Sequence, residues 1–349
     1  MEVLASDDHV AEGGDGLAPE TARPRLKTPF LRWARTVACT FAVLAASATA
    51  VTANAETPSP AAARSLLLDA CRVGNIVLAV GERGAVVRSD DSGRSWSTVH
   101  SPTEATLTGI NFADATTGWI VGHDATVLKS SDGGASWSPQ NTGAPEDTSF
   151  LDVLAVDANT AITVGAFGAC YITSDGGHAW TRRKLLEEEL HLNRLTRGRG
   201  SDVLIAGERG TLLRLADVRA DPVALSTSYD GSFNGVLAIG PSQLLAYGLR
   251  GHAFRSLDDG AHWEPIGNMP AALLSTGVIL SSGPVVLAGQ ARVILVSHDT
   301  GSTFSPWPTS LTTAVARLLE APDGSLLAFG EGGATRLPPP APTAPAAKP

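Results

Sequence analysis

Short apolar runs alternate with turn-forming residues along most of the chain, and they do so at a fixed period. A phrase consisting of an apolar residue, a Gly and a polar turn recurs seven times between residues 66 and 337. The glycines of this phrase, which lie 41 to 43 residues apart, are Gly81, Gly122, Gly165, Gly207, Gly248, Gly289 and Gly330. A period of this length indicates a repeat protein in which each copy is one supersecondary unit.

Each copy contains four apolar runs that are too short for helices. In the second copy, the pattern predicts strands at Leu107–Phe112, Gly118–Val121, Thr126–Ser130 and Ser136–Ser138, separated by Gly- and Asp-rich turns. Four antiparallel strands in about 42 residues correspond to one blade of a propeller. The sequence therefore predicts an all-β fold, a seven-bladed β-propeller of four-stranded blades, over residues 66–337.

The last blade lacks an outer strand in this pattern. Blade 7 ends after its third strand at Leu337 and runs into a Pro-rich tail, residues 338–349, which we expect to be extended and disordered. An unpaired edge strand is a liability for a sheet. We therefore expect part of the linker at residues 56–65, roughly Thr57 to Arg64, to lie beside the third strand of blade 7, although two prolines there disfavour a strand.

Five copies carry a second motif between the Gly turn and the outer strand. It reads Ser/Thr-x-Asp-x-Gly-x-x-aromatic, the Asp-box pattern, and blade 4 lacks it. The carboxylate can accept N–H groups across its own turn, the Gly permits positive φ, and the aromatic ring can cover the sheet. We therefore assign a structural role to Asp91, Asp132, Asp175, Asp258 and Asp299, and to Trp96, Trp137, Trp180, Trp263 and Phe304.

The first 55 residues differ in composition from the repeats. Five basic residues between Arg23 and Arg35 precede the apolar run Thr36–Val51, which is the charge order of a secretory signal. Small residues at Ala53 and Ala55 suit a signal peptidase, so we expect cleavage after Ala55 and an exported protein in the periplasm or a lumen. The alternative is a retained signal that keeps the protein at the membrane.

Charge and cysteine content exclude several classes of function. A formal net charge of -9 offers no broad basic surface for a phosphate backbone, so nucleic acid is not an expected partner. Three Cys support neither a disulfide framework nor a zinc cluster, and Cys71 and Cys170 are expected to be buried free thiols rather than a bridge. No metalloprotease helix, phosphate loop or calcium loop occurs, so we expect no metal and no cofactor.

The export signal, the seven copies and the phrase that leads from the Gly turn to the Asp box together resemble the photosystem II stability and assembly factor family. The resemblance extends over residues 66–337 and is best at Val80–Trp96, Val121–Trp137 and Tyr247–Trp263. It implies a monomeric, non-enzymatic platform whose partner is a membrane protein or an assembly intermediate. Bacterial relatives without photosystems carry the same domain, and Asp boxes also occur in sialidases and sortilin-type receptors, so the motif indicates architecture and not chemistry.

The Gly turns provide the candidate binding residues. In a blade whose first strand is innermost, all seven turns fall on one face, which we call the Gly-turn face. Arg83, Arg209 and Arg250 occupy equivalent turn positions there and would converge on the channel mouth, where Arg forks suit carboxylates or polar backbone of a partner. The same face carries the further candidates Glu82, Glu208, His123 and Asp124. A solvated turn without function has the same composition, so both interpretations remain open.

A second set of cations lies on the third strands. Arg88, Lys129, Arg214 and Arg255 each precede the first residue of an Asp box or its equivalent. Because this position recurs from blade to blade, we expect a structural role in which the aliphatic stem lies on the next blade.

The rival hypothesis is a carbohydrate-active propeller, either a hydrolase or a lectin. The Asp-box carboxylates lie on different blades, too far apart for the roughly 5 to 10 Å pair of a glycosidase. No catalytic residue is therefore assigned. Two inward carboxylates on first strands, Asp69 and Asp152, keep an inverting glucanase open, and a groove lined by Trp119 or Trp307 would favour it. None of the three tyrosines, Tyr171, Tyr229 and Tyr247, is expected at the channel as a sialidase nucleophile.

Overall fold

A computed structural model describes residues 64–340, and these residues form seven antiparallel sheets arranged as blades. Blade 1 consists of β1 (Leu67–Val73), β2 (Ile76–Gly81), β3 (Val86–Ser89) and β4 (Ser97–Thr98). The next three blades contain β5 (Leu107–Phe112), β6 (Gly118–Gly122), β7 (Val127–Ser130), β8 (Ser138–Pro139), β9 (Phe150–Ala155), β10 (Ala161–Gly165), β11 (Cys170–Thr173), β12 (Thr181–Arg182), β13 (Leu192–Arg197), β14 (Val203–Gly207), β15 (Leu212–Leu215) and β16 (Val223–Ala224).

The remaining three blades follow the same order from the inner to the outer strand. They contain β17 (Phe233–Gly240), β18 (Gln243–Gly248), β19 (Ala253–Ser256), β20 (Glu264–Pro265), β21 (Leu274–Ile279), β22 (Val285–Gly289), β23 (Ile294–Ser297), β24 (Ser305–Pro306), β25 (Val315–Glu320), β26 (Leu326–Gly330) and β27 (Gly333–Leu337). The predicted seven-bladed all-β propeller is confirmed.

The ring closes by packing of blade 7 on blade 1. Each first strand contacts the first strands of both neighbouring blades, and β1 contacts β25 in the same way. Trp96 of blade 1 meets Phe329 of blade 7 edge to face at 5.7 Å between ring centroids. Blade 7 has three strands among the described residues, as its sequence predicts. The expected fourth strand falls on residues 57–63, which lie outside the described part of the chain.

The hydrophobic core lies between the blades. Seven clusters of buried side chains each combine residues of two adjacent blades, and the last joins blade 7 to blade 1. Strands β2, β6, β10, β14, β22 and β26 are almost entirely buried, because each is covered on both faces by a neighbouring blade. A blade alone would expose both of its faces, so the fold depends on the complete ring.

The recurrent Gly at the end of each second strand has a steric cause. A Cβ on Gly81 would lie 1.9 Å from the carbonyl oxygen of Leu66, where the chain enters its own first strand. Equivalent clashes would occur at Gly165, Gly248 and Gly289. The phrase that reveals the repeat in the sequence is therefore fixed by this close approach of two backbone segments.

We predict that Phe329→Ala lowers the free energy of unfolding by about 3 to 5 kcal/mol, because it leaves a cavity at the junction that closes the ring. Phe329 is fully buried, whereas Ile279 is 41% exposed, so Ile279→Ala is a matched control with an expected change within about 0.5 kcal/mol. Urea denaturation followed by fluorescence measures both. Equal, small losses in the two variants would contradict closure by packing.

Candidate functional site

The Asp-box carboxylates are engaged within their own turns. In blade 1, Oδ1 of Asp91 accepts the N–H of Ser95 at 2.8 Å and the hydroxyl of Ser89 at 2.8 Å, while Oδ2 accepts the Ser95 hydroxyl at 2.6 Å. The two contacts of Oδ1 recur at Asp132, Asp175, Asp258 and Asp299. Hydrogen bonds from Ser136 lower the pKa of Asp132 to about 2. These groups are acceptors for backbone and hydroxyl donors, which is a structural use.

Each Asp box also docks on the preceding blade. A Cβ on Gly134 of blade 2 would lie 2.4 Å from Leu78 of blade 1, and one on Gly93 of blade 1 would lie 2.6 Å from Leu327 of blade 7. The box aromatics pack into the same junctions: Trp96, Trp137, Trp180, Trp263 and Phe304. The motif is thus a contact between blades as well as a clasp for its own hairpin.

The third-strand cations hold the Asp box of the next blade. Lys129 donates to the carbonyl of Gly176 at 2.6 Å, and Arg214 donates to the carbonyl of Asp259 at 2.8 Å. Arg88 reaches the carbonyl of Gly133, Arg255 reaches Ser302, and Arg336 of blade 7 reaches the carbonyl of Ser92. The cation is therefore used between blades, as its recurrence in the sequence suggests.

Where the next blade lacks an Asp box, an apolar pair replaces the cation and the box. Blade 4 has Leu215 at the first box position, and the preceding blade has Ile172 at the cation position. Blade 7 has Leu337, and the preceding blade has Val296. Each pair belongs to one junction cluster. Two adjacent blades are thus joined at this position either by a cation and an Asp box or by two apolar side chains, and both residues of the pair change together.

The innermost strands carry one equivalent position that lines the channel. It is the residue paired with the second strand just after a bulge, and around the ring it is Asp69, Gly109, Asp152, Arg194, Gly235, Thr276 and Arg317. The two Gly positions are filled by neighbours, because a Cβ on Gly109 would lie 3.1 Å from Oδ1 of Asp152 and one on Gly235 would lie 2.3 Å from Oη of Tyr247.

Ion pairs cross the channel at this level. Arg194 of blade 4 lies 3.2 Å from Asp69 of blade 1 and 3.6 Å from Asp152 of blade 3, and Arg317 lies 3.1 Å from the same oxygen of Asp69. Asp69 also accepts the N–H of Ile110 at 2.9 Å, and Asp152 that of Leu195 at 2.7 Å, each on the following blade. Side chains therefore fill the middle of the ring.

This cluster does not have the layout of a glycosidase pair. Asp69 and Asp152 face inward as expected, but they are 1% and 3% exposed, and one nitrogen of Arg194 lies between their carboxylates, where a substrate or water would have to be. Trp119 is fully buried and Trp307 is packed between blades 6 and 7, so neither lines an open groove. Tyr247 does reach the inner strands, contrary to the sequence-based expectation, because Gly235 leaves room for its hydroxyl.

The three candidate arginines lie at the left-handed position of their turns. Arg83, Arg209 and Arg250 have φ values of 53, 52 and 57° and are exposed on the Gly-turn face. Each turn joins the second and third strands and bonds to the connection that leads into the next blade, as in Gly84 N–H to Ala105 O. Blades 1 and 4 lie three steps apart in a ring of seven, so Arg83 stands across the ring from Arg209.

The charges around these arginines differ. Arg209 pairs with Glu188 at 2.8 Å, whereas Arg83 and Arg250 form no ion pair within residues 64–340. The structure places the three arginines on one face, in the turns of blades 1, 4 and 5.

The other predicted turn residues have local contacts. Glu82 accepts the N–H of Leu66 at 3.3 Å, and Glu208 accepts that of His191 at 3.0 Å, so both carboxylates hold the start of their own first strand. His123 bonds to Ser149 of blade 3 at 3.1 Å through Nδ1. Asp124 is exposed with φ of 56° and has no hydrogen-bond partner among the described residues.

An exposed aromatic side chain that the sequence did not single out lies on the same face. Phe167 of blade 3 occupies the turn position of the arginines, with φ of 52° and 67% of its surface exposed. Its ring meets His191 edge to face at 4.9 Å. It stands between two clefts of about 400 and 230 Å³.

The two clefts share a lining of mixed charge. Arg182 and Glu189 line both, Glu187 and Glu188 line the larger one, and Asp147 lines the smaller one. Lys184 forms an ion pair with Glu187, with 2.6 Å between Nζ and Oε2. Large exposed aromatics beside clefts are typical of surfaces that bind a partner. The signal available in the sequence was an apolar residue at a turn position that holds polar or small residues in the other blades.

Neither thiol of the described chain is accessible. Cys71 and Cys170 are free and buried, in clusters of different junctions, and burial raises the pKa of Cys170 to about 12. Among residues 64–340, no group of three or more His, Cys, Asp or Glu side chains is arranged to hold a metal ion. In the same range, no helix has the length and apolar character needed to span a membrane.

Comparison with known proteins bears on the repeat itself. Residues 86–151, which run from β3 to the start of β9 and include two Asp boxes, match the family model of the photosynthesis system II assembly factor YCF48. The chain is a seven-bladed propeller, and within it residues 86–151 are similar to this family. No curated protein sequence matches the chain.

Solved propellers are similar in fold at low identity. YCF48 bound to a D1 peptide is 21% identical with a TM-score of 0.62, over 78% of this chain and 90% of that one. YCF48 from Cyanidioschyzon merolae is 17% identical with a TM-score of 0.65, over 80% and 97%. The WD40 propeller domain of Doa1 is 11% identical with a TM-score of 0.63, over 78% and 92%. Identities in this range show the architecture alone.

We predict that Asp152 makes stability depend on pH. Burial raises the pKa of Asp152 to about 6, above the value of about 3.9 in an unfolded chain, and the Asp69 carboxylate adds to this although Arg194 opposes it. The folded state therefore holds a proton between about pH 4 and 6 that the unfolded state has lost. The free energy of unfolding should fall as pH rises through this window, with a slope of at most about 1.4 kcal/mol per pH unit.

Asp152→Asn removes this titration while keeping an acceptor for the Leu195 N–H, so its stability should be flatter between pH 4 and 6 than that of the wild type. Asp147→Asn, at an exposed carboxylate, is the control and should follow the wild type. Urea denaturation at four pH values measures all three proteins. Parallel curves for wild type and Asp152→Asn would show that Asp152 does not titrate in this range.

Proposed function

We propose that the protein is an exported, monomeric and non-catalytic platform that binds an extended segment of a membrane protein during assembly. The similar propeller that was solved with a D1 peptide supports a peptide as the ligand class. The family match over residues 86–151 supports a role like that of a photosystem II assembly factor where the host is phototrophic. In a host without photosystems the client would be another membrane protein at the periplasmic side.

The observation that carries this proposal is Phe167 with its two clefts on the Gly-turn face. An extended peptide can place an apolar side chain against the exposed ring while its polar groups meet Arg182 and Glu189 in the clefts. Among residues 64–340, Arg194 bridges Asp69 and Asp152 at the level of the inner strands, where a small substrate would have to bind. Binding on the surface of this face is the use that the geometry supports best.

Arg83, Arg209 and Arg250 remain proposed contacts, but they do not contribute equally to binding of one segment. Arg250 and Arg209 belong to adjacent blades and lie beyond Phe167 in blade order, so one extended segment can pass all three positions. Arg83 stands on the far side of the ring and would serve a separate part of a large partner. Exposed cations of this kind affect the association rate and salt dependence more than the affinity.

We predict that Phe167→Ala weakens capture of the client at least tenfold, because a truncated aromatic hot spot typically costs about 2 kcal/mol or more. Leu257→Ala is the matched control, since Leu257 is 57% exposed but lies in the Asp box of blade 5, on the opposite face. The measurement is crosslinking in membranes of the native host, with mass spectrometry to identify the captured segment, and the Arg209→Ala/Arg250→Ala double variant as a third sample.

Glycan release is assayed on the same preparations. Capture of one membrane-protein segment that fails only in the Phe167 variant supports the proposal. Release of sugar together with no captured membrane protein would overturn it in favour of a carbohydrate-active propeller. Equal loss in the Phe167 and Leu257 variants would reject the Gly-turn face as the site.

A further inference from the structure

A cleft of about 360 Å³ lies on the outer rim of the ring, where the Asp box of blade 3 faces blade 4. Residues of this Asp box form one wall, Arg219 of blade 4 contributes to the other, and Ile172 of β11 is an apolar part of the lining. A volume of about 300 to 1,000 Å³ is usual for sites that bind small molecules. Phe167 does not line this cleft, so it is a candidate site distinct from the one on the Gly-turn face.

The cleft exists because the side chains that occupy this space at other junctions are replaced. Ile172, which pairs with Thr181, stands where the third-strand cations stand in blades 1, 2, 4 and 5. Blade 6 also has an apolar residue at this position, but there Trp307, the residue after the outer strand, packs into the junction. The equivalent of Trp307 in blade 3 is Arg183, since the N–H of each donates to the first residue of its third strand.

Arg183 does not fill the space as Trp307 does, because its guanidinium reaches across to blade 4. It donates to the carbonyl of Val218 at 2.6 Å and to that of Ala220 at 3.0 Å, in the turn that replaces the Asp box of blade 4. Arg219 lies between these two carbonyls along the chain, and its N–H is held by Oδ1 of Asp217 at 2.6 Å. The wall that carries Arg219 is therefore anchored to blade 3.

The Asp175 carboxylate, which lines the cleft, differs from those of the other four Asp boxes. In those boxes, Oδ2 is hydrogen-bonded to the side chain four residues after the Asp, which is Ser95, Ser136, His262 or Thr303. Blade 3 has Ala179 at this position, and no group of residues 64–340 donates to Oδ2 of Asp175. Ala179 also lines the cleft, so the missing donor and the open space coincide.

The polar groups of the cleft fit a ligand that both donates and accepts hydrogen bonds. Arg219 is exposed, and its guanidinium has no acceptor among the described residues, nor do the hydroxyls of Ser174 and Thr181 have a partner there. A carboxylate or phosphate would suit Arg219 but would be repelled by Asp175, and a cation would meet the opposite conflict. A hydroxyl group is donor and acceptor at once, so one neutral, polyhydroxylated ligand can serve both side chains.

We propose that the cleft between blades 3 and 4 binds a neutral saccharide, one hydroxyl of which donates to Oδ2 of Asp175 in place of the missing side chain. Three of the four other boxes use a hydroxyl for this contact, so a hydroxyl rather than an ammonium group is the fitting donor. A second hydroxyl accepts from Arg219, while the C–H face of the sugar ring lies on Ile172 and Ala179.

The site binds a saccharide without cleaving it. Among residues 64–340, Asp175 is the one acidic side chain that lines the cleft, whereas glycoside hydrolysis typically requires two carboxyl groups. The contacts of Asp175 with Thr173 and Ala179 also lower the pKa of its carboxyl group, so it is an acceptor and not an acid at neutral pH. This binding is independent of the peptide platform on the Gly-turn face.

Two Ala→Ser variants of the whole chain test the proposal. Ala179→Ser restores the hydroxyl that the other boxes carry, so it should satisfy Oδ2 of Asp175 and raise the Kd for the saccharide at least about tenfold, because a hydrogen bond to a charged group is typically worth more than a factor of ten. Ala135→Ser is the matched control in the box of blade 2, where Ser136 already bonds to Asp132, and its Kd should equal that of the wild type. Urea denaturation should show neither variant to be less stable than the wild type.

The probes are maltotetraose, cellotetraose and tetra-N-acetylchitotetraose, each titrated into isotope-labelled protein and followed by amide NMR shifts. The N–H of Ala179 donates to Oδ1 of Asp175 at 3.0 Å, so its shift reports on this carboxylate, and the N–H of Arg219 reports on the other wall. We expect at least one tetrasaccharide to shift both amides with saturation at millimolar concentration, and the amide of Ala135 to be unaffected. L-valine is a zwitterionic comparison that should shift neither wall.

Saturable shifts at Ala179 and Arg219 that weaken in Ala179→Ser but not in Ala135→Ser support the proposal. Four results would overturn it: no binding of any of the three tetrasaccharides, equal affinity of the wild type and Ala179→Ser, equal loss in both Ala→Ser variants, or saturable binding of L-valine without that of a tetrasaccharide. The last result would make a zwitterion the ligand of the cleft.

Discussion

The packing of each blade on the next is the interaction on which the rest of this structure depends. Every buried cluster of residues 64–340 belongs to two blades, so no blade has a core of its own, and one of the clusters joins blade 7 to blade 1. The recurrent motifs of the sequence contribute to this contact between adjacent blades. The Asp box places a Gly and an aromatic ring on the preceding blade, and that blade returns a cation to the backbone of the box.

The same constraint determines where function can lie. Closing the ring brings seven inner strands together, and their facing residues neutralise and fill the channel through the contacts of Arg194 and Arg317 with Asp69. The inward carboxylates that could have served in catalysis are therefore engaged in structural ion pairs. The rim of the Gly-turn face remains accessible, because turn residues such as Arg83, Phe167 and Arg250 are exposed to solvent. Phe167 is an apolar side chain at such a position, and a partner that covers it would remove this apolar surface from water.

Much of the architecture could be predicted from the sequence, because the backbone geometry of each blade requires Gly at fixed positions of the repeat. A Cβ on Gly81 would lie 1.9 Å from a carbonyl oxygen, and similar close approaches fix its equivalents. The predicted first strand of blade 2 has the observed bounds, and the other three differ from the observed ones by one or two residues at their ends. The apolar pair Ile172 and Leu215, which replaces the cation and the Asp box at one junction, could also have been predicted. Both replacements are visible in the aligned repeats of the sequence. Interactions across the ring were not: the Asp69–Arg194 pair joins residues 125 positions apart, and no local pattern encodes which inner residues meet. Exposure of Phe167 likewise depends on the neighbouring blade and not on its own turn.

In the proposed function, this face holds a segment of a membrane protein against Phe167. The most direct measurement places a photoactivatable amino acid at position 167, and in a second chain at position 257, and compares the crosslinked peptides from illuminated membranes of the native host. We expect position 167 to yield one exported segment of a membrane protein and position 257 to yield none. Crosslinks from 167 that match those from 257 in identity and amount, or an absence of membrane-protein peptides at 167, would contradict the account.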